Sequence, residues 1–187
     1  MRAAHSERLE LAPVSARNAK DLWRILATPN LRQFQDIPRV RLEEFERQVR
    51  SRPRHLTGSV TGRFEWLILR ENEPIGWISL RINDRAPHVG EMGYSLVEEA
   101  RGQGYASEAL RAVVDQAFVD SELDELHACT VPENTASRSV LLNTGFRELR
   151  LLQSGAMIRG RHVDVLLHAL HRGEWSRSRS TAQEHAN

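Results

Sequence analysis

The sequence predicts an α/β (α+β) fold in which helices flank a mixed, mostly antiparallel central sheet. Three observations carry this reading. Successive β-rich stretches between Arg63 and Val97 are joined by short turns, and short connections favour antiparallel pairing. A long helix with an apolar face then precedes a further strand, and a strand–helix–strand crossover makes its two strands parallel. Two more β-rich stretches, Phe146–Gln153 and His162–Leu170, follow a second, shorter helix.

Taken in order, Leu9–Val14 is a first strand. Ser15 stands at the N-cap position ahead of a helix over Ala16–Ala27, where Leu22, Ile25 and Leu26 share a face and Pro29-Asn30 ends the run. A second helix runs from Arg41 to about Val49, with Leu42, Phe45 and Val49 on one side. Arg50–Gly62 contains Pro53, Gly58 and Gly62 and reads as a loop. The strands Arg63–Arg70, Ile75–Ile82 and Val89–Val97 come next, separated by turns at Glu71–Pro74 and Asn83–Pro87. The strongest helix carries Ala106, Ala109, Leu110, Val113, Val114, Ala117 and Phe118 at three-and-four spacing. Leu126–Val131 is the strand parallel to the one before that helix. A short helix from about Thr135 to Thr144 ends at Gly145, suited to a left-handed C-cap. From Arg172 onward the chain is Arg, Ser, Glu and Gln with one Trp, which predicts a disordered tail over 172–187 behind a single domain over 1–171.

Composition narrows the classes. A chain of 187 residues, 40% of them apolar, can bury one core. Basic and acidic residues number 26 and 25, so no strong overall field draws in nucleic acid or an anionic membrane, and neither is expected as a partner. The one cysteine, Cys129, excludes an internal disulfide and any multi-cysteine metal site, and no metal is expected. Met1–Leu11 has no apolar run of signal-peptide length, and no stretch approaches the ~20 apolar residues that span a bilayer; the expected location is the cytoplasm.

The chemistry concentrates in Glu98–Ala109, where a strand ends, a glycine-bearing turn follows and the long helix begins. Gly102 and Gly104 let backbone N–H groups approach a ligand with no Cβ in the way. The first-turn amides of the helix lack intrahelical partners and point at the same spot, and the helix dipole favours an anion there. A phosphate or pyrophosphate is the natural guest, and Arg101 can add a charge-assisted contact. A P-loop is excluded, because Gly-Tyr-Ala stands where Gly-Lys-Ser/Thr is required. A dinucleotide fingerprint is nearly met by Gly102, Gly104 and Ser107, but its third glycine is serine and it follows an antiparallel meander. A helix start with no ligand is the bland alternative.

A third pattern is met in full. Arg101-Gly102-Gln103-Gly104-Tyr105-Ala106, followed by Glu108-Ala109, resembles the acyl-CoA loop of the GNAT superfamily of N-acetyltransferases. Glu91-Met92-Gly93-Tyr94-Ser95-Leu96 is similar to the central strand of its Rim-type subgroup, which acetylates N-terminal amines of ribosomal proteins and other amines. Asn134-Thr135-Ala136-Ser137, with Val140-Leu141 and Gly145-Phe146, resembles that subgroup's second signature. The resemblance is firm from about Gly62 to Leu170. It implies the GNAT fold, whose two central parallel strands splay apart to admit the pantetheine arm; here these are Val89–Val97 and Leu126–Val131.

Further implications follow from that resemblance. The cosubstrate is acetyl-CoA, and the reaction is direct transfer of acetyl to a primary amine, on a protein N-terminus or a small molecule. Leu96, Val97 and Glu98 pair with the pantetheine amides; Gln103 to Ala106, with Gly104 and Tyr105 between them, supply backbone N–H groups to the pyrophosphate in the loop that begins with Arg101 and Gly102; the Tyr105 side chain packs beside the cofactor; and Asn134 hydrogen-bonds the pantetheine arm unless it is only a turn residue. Glu91 is the first candidate for the base, directly or through a water, against a salt-bridged strand residue. Ser137 and Tyr94 are candidates for protonating the thiolate, with Ser137 alternatively a helix cap. A backbone N–H near Leu96 can serve the oxyanion. A homodimer is compatible with the family. Cys129, in the apolar run His-Ala-Cys-Thr-Val, is expected to be a buried core thiol, and Trp23, Trp66 and Trp77 are expected in the core or a pocket wall. Two other classes stay open: a non-catalytic acyl-CoA-binding module on the same fold, and a nicotinamide-dependent oxidoreductase.

Overall fold

A computed structural model describes residues 3–28, 31, 34, 35 and 40–184. Its centre is an eight-stranded sheet: β1 (Ala4–His5), β2 (Glu10–Pro13), β3 (Gly62–Arg70), β4 (Glu73–Asn83), β5 (Ala86–Leu96), β6 (Glu125–Thr130), β7 (Arg147–Ile158) and β8 (Arg161–His171). Their spatial order is β1-β2-β3-β4-β5-β6-β8-β7. Every neighbouring pair is antiparallel except β5 and β6, which the crossover helix α3 (Tyr105–Asp120) makes parallel.

Both faces of the sheet are covered, which explains why β3 and β4 read as nearly continuous apolar runs: Phe64–Ile68 and Gly76–Leu80 are buried throughout. One face packs Phe64, Trp66, Ile78 and Leu126 under α3 and α4 (Thr135–Asn143), against Leu110, Val113, Phe118 and Leu141. The other packs Leu67 and Trp77 under α1 (Ala19–Ala27) and α2 (Leu42–Arg50), through Leu22, Ile25, Phe45 and Val49. Trp66 and Trp77 are core, as expected; Trp23 is partly buried and donates its Nε1–H to the Val40 carbonyl at 2.9 Å.

Two expectations are corrected. Ser15 does not cap α1: the helix begins three residues later behind Asn18, whose Oδ1 accepts the Ser15 N–H at 2.8 Å, so the pair builds a turn before the helix. Pro29-Asn30 lies outside the described residues. The chain after β8 forms a helix, α5 (Arg172–Glu184), where composition predicted a frayed tail. Anchors invisible to composition hold it. Trp175 packs against Phe118, tilted 38° with ring centroids 5.2 Å apart, and donates to Asp115 Oδ1 at 2.6 Å. Arg172 donates to the carbonyls of Leu123 and Ser121, both at 2.7 Å, and to that of Phe118.

The feature that positions the site is the divergence of the two parallel strands. β5 and β6 are in register only over Val89–Glu91 and Glu125–His127. Beyond Glu91, β5 stays with β4 as far as Leu96, while β6 stays with β8 as far as Thr130. A gap opens between them at their C-terminal ends. Such ends are where open sheets place their ligands.

Candidate active site

The gap leads into a cavity of about 540 Å³, with the end of β5 on one side, β6 on the other, and the starts of α3 and α4 over it. At its α3 end, Gly104 is the residue before the helix and has φ +82°, which an L side chain rarely adopts; Gly102 has φ +73°, with nothing within 4 Å of where a Cβ would stand. The helix's first internal bond runs from Glu108 N–H to the Gly104 carbonyl at 3.1 Å. By helix geometry the N–H groups of Tyr105, Ala106 and Ser107 have no partner within the helix, and Ala106 and Ser107 line the cavity. The cradle required for a pyrophosphate is therefore present: backbone donors, open space at a glycine and the positive end of a helix.

The other sequence-predicted residues divide. Tyr94, Leu96, Arg101, Tyr105, Asn134 and Ser137 line the cavity with Gly102, Gly104 and Ala106. Arg101 donates its Nε–H to the Leu96 carbonyl at 3.3 Å, which ties the loop to the end of β5. Tyr94 OH lies 2.8 Å from Ser137 Oγ and donates to the Ser137 carbonyl at 3.1 Å, so the two candidate proton donors form one pair bridging the gap. Burial pushes the Tyr94 phenol up to about 12, against the opposing pull of the Ser137 hydrogen bond. Asn134 caps α4, its Oδ1 accepting the Ser137 N–H at 3.1 Å. Ser137 therefore does not cap that helix, and its hydroxyl meets the tyrosine instead.

Val97, Glu98, Gln103 and Glu91 lie off the cavity lining. Val97 gives its N–H to the Ile75 carbonyl at 2.9 Å, as part of the β4 edge. Glu98 starts a short 3₁₀ turn, Glu98–Ala100, and accepts the Arg101 N–H at 3.1 Å. The Gln103 side chain donates to the Glu99 carbonyl at 2.9 Å. Glu91 is at the last paired position of β5, opposite His127, with its carboxylate on the Arg81 guanidinium. It shares a sheet face with Cys129, because His127 and Cys129 alternate with the buried Leu126, Ala128 and Thr130. Partial desolvation against the strand pushes the Cys129 thiol up, and the Glu91 charge pushes it further. The field of Glu91 thus reaches the cavity wall even though its side chain does not line it.

Cys129 is exposed and lines the cavity, which corrects the expectation of a core thiol. Strand alternation was the signal that could have found it. The sequence also gave no sign of Gln35, whose Nε2–H donates to the Tyr94 carbonyl at 2.7 Å from the connector between α1 and α2. Ser95, Thr130 and Val131 complete the walls of the gap. A second, more open cavity of about 940 Å³ adjoins the first: Phe34 and Val131 line both, and the second extends over Glu133 and the β7–β8 turn, with Arg161, His162 and Asp164.

A sheet split at its one parallel pair, with a glycine cradle at the mouth of the split, is the arrangement that the resemblance to GNAT acetyltransferases implies. The sequence places it more closely. The GNAT acetyltransferase domain matches residues 8–147, and the chain belongs to that family. An uncharacterized N-acetyltransferase of Bacillus licheniformis, p20, is 25% identical over 177 residues, covering 94% of this chain and 99% of its own length. The ribosomal-protein-serine acetyltransferase of Escherichia coli K12 is 29% identical over 172 residues, covering 88% of this chain and 93% of its own. RimJ of Mycobacterium smegmatis, solved in complex with CoA-disulfide, shares the fold with a TM-score of 0.73 at 23% identity, over 92% of this chain and 88% of its own. The protein is an acyltransferase that uses acetyl-CoA to acetylate an amine nitrogen. Among the described residues no helix is long and apolar enough to cross a membrane.

Proposed function

We propose that this enzyme acetylates the N-terminal amine of a protein, in the cytoplasm, with the pyrophosphate of acetyl-CoA on the Arg101–Ala106 loop and its pantetheine arm in the gap between β5 and β6. The observation that carries the acceptor class is the second cavity. It meets the gap at Phe34 and Val131, is larger than the first, and has room for the residues that follow an acceptor amine. A relative named for ribosomal-protein serine supports the same reading.

Acetyl-CoA supplies the activated acyl group; the chain's residues supply position and protons. Along β5 the carbonyls of Tyr94 and Leu96 are taken by Gln35 and Arg101, which lie away from the β4 edge. In a strand the N–H of a residue points to the same side as its carbonyl. The Leu96 N–H therefore faces the gap, where it can pair with a pantetheine amide or receive the oxyanion. Asn134 keeps its amide N–H groups for the pantetheine arm while its oxygen caps α4. Glu91 accepts the amine proton through water, with Arg81 fixing its carboxylate, and the Tyr94–Ser137 pair returns a proton to the thiolate.

The test is a set of short peptides, differing in their first residues, offered with acetyl-CoA alongside spermidine and a free amino acid, with product located by mass spectrometry. Acetylation of peptide N-termini and not of the small amines is expected. Turnover of the small amines alone would move the acceptor class, and binding of acetyl-CoA with no turnover of any amine would favour a binding module. Glu91→Gln should lower kcat by about 10² or more with CoA affinity unchanged; full turnover in that variant would remove Glu91 as the base.

A further inference from the structure

The start of α3 carries a polar cluster whose central member comes from the far end of the chain. Arg8 lies in the connection between β1 and β2. Its Nε–H donates to Glu108 Oε2 at 2.8 Å, its Nη2 lies 2.6 Å from the same oxygen, and its backbone N–H donates to Oε1 at 2.8 Å. The Ser6 hydroxyl donates to Oε1 at 2.7 Å. The remaining arm, Nη1, donates to the Gln103 carbonyl at 3.2 Å, inside the glycine loop. The guanidinium sits 4.6 Å from the centre of the Tyr105 ring, and a Cβ on Gly104 would stand 3.4 Å from Nη2.

Glu108 is in the first turn of α3, the turn whose free amides face the cradle. A carboxylate there suits the helix dipole when the site is empty, but it competes with an arriving anion for the same positive end. Arg8 cancels that charge with a two-pronged ion pair. It also occupies the Gln103 carbonyl, leaving that oxygen engaged on the outer side of the loop. Burial pushes the Glu108 carboxyl up, yet the hydrogen bonds from Ser6 and Arg8 and the charge of Arg8 together hold it below the usual carboxylate range, so it is ionised at neutral pH and needs that compensation.

We infer that Arg8 is a positioning residue for the pyrophosphate of CoA, neutralising Glu108 and fixing the Gln103 peptide so that the loop presents its amides to the anion. The inference rests on the reading that the Arg101–Ala106 loop holds the pyrophosphate. It joins the N-terminal strands to cofactor affinity, and distinguishes Arg8 from a staple that merely fastens those strands to α3.

The experiment compares CoA with pantetheine, which has the arm and no phosphate, by competition calorimetry on wild type, R8A, R8K and the double variant R8A/E108Q. R8A should weaken CoA by about two- to fivefold, the range for one charge at a helix N-terminus, and leave pantetheine unchanged. R8K keeps the cation without the fork and should fall between wild type and R8A; it also reports if R8A melts too low to measure. Removing the uncompensated acid in R8A/E108Q should recover part of the lost CoA affinity. Equal weakening of both ligands, no weakening of either, or a double variant no better than R8A would each overturn the role given to Arg8. Gly104→Val separates the two readings: normal CoA binding in that variant removes the loop assignment itself, whereas loss there with R8A at wild-type affinity removes only Arg8.

Discussion

Gly76 is a position where one methyl group should damage the site while leaving the fold intact. It lies on β4 directly opposite Leu96, the last residue of β5. A Cβ there would stand 2.3 Å from the Ser95 carbonyl oxygen, 2.7 Å from Leu96 Cδ2 and 3.1 Å from Leu96 Cα. Ordinary contact begins at 3.4 Å, so the carbonyl must retreat by about 1 Å. The obstacle is backbone, so no rotamer relieves it. β3 closes the other side of β4 at Gly76 through Ile68, which leaves β5 to move away from β4 and into the gap. Overpacking of this kind costs about 1–3 kcal/mol, or roughly 2–12 °C of Tm for a chain of this size. A misplacement of about 1 Å in reacting geometry can cost about 10²-fold in rate. Gly76→Ala should therefore melt a few degrees low, bind CoA more weakly in calorimetry and lose far more kcat/KM than stability alone explains. Gly93→Ala is the control on the same strand pair: its new Cβ meets a side-chain hydroxyl, Ser79 Oγ, at 3.2 Å, which can give way. A Gly76→Ala enzyme with a lowered Tm but wild-type CoA affinity and turnover would refute the reasoning, because the end of β5 would then not be a wall of the cofactor site.

Three further outcomes are expected. Tyr94→Phe removes the hydroxyl that meets Ser137 and should lower kcat by about 10² or more with the CoA dissociation constant unchanged; loss confined to CoA binding would make Tyr94 a wall and not an acid. With its folded pKa near 12 against an ordinary value of 10.0, Tyr94 keeps its proton between those pH values while the unfolded chain releases its own, so stability should fall as pH rises through that window, and a Tm–pH series of Tyr94→Phe should lack that part of the fall. Glu65 is 1% exposed between Arg63 Nε at 2.8 Å and the Arg52 guanidinium, so Glu65→Gln leaves the partly buried Arg52 and the exposed Arg63 without their buried anion and should cost about 3 kcal/mol in urea titration; a loss under 1 kcal/mol would mean solvent replaces the carboxylate.

The order of elements from β2 to β8 was legible because each carries its own period, as in the apolar runs of β3 and β4, the three-and-four spacing of α3 and the left-handed glycine Gly145 (φ +91°) after α4, whereas the two-residue β1 is too short to carry one. The cradle was legible because Gly102 and Gly104 act through backbone conformation, which a sequence reports directly. What stayed hidden depends on contacts between distant residues. Nothing local in Arg172 or Trp175 announces that they reach α3, so composition alone mistook α5 for a tail. Gln35 and Arg8 act on the loop and on β5 from other elements, and neither falls in a motif. Cys129 lay between the two cases: the alternation of β6 assigns its face, but not that this face opens onto a cavity.

The contacts of Arg172 bear on the far end of α3. Its guanidinium sits on the carbonyls of Phe118, Ser121 and Leu123, where α3 ends and its backbone oxygens run out of partners. The cation thus stands at the end of the helix where its dipole favours one, while the free amides at the other end face the cradle proposed for the pyrophosphate. Deleting the chain from Arg172 onward would strip that cation some sixteen helical residues from the cradle. It would leave the cradle's own atoms untouched. A truncation there is thus a perturbation of the capping of α3 and of the packing on Phe118, made from a segment that composition marks as expendable.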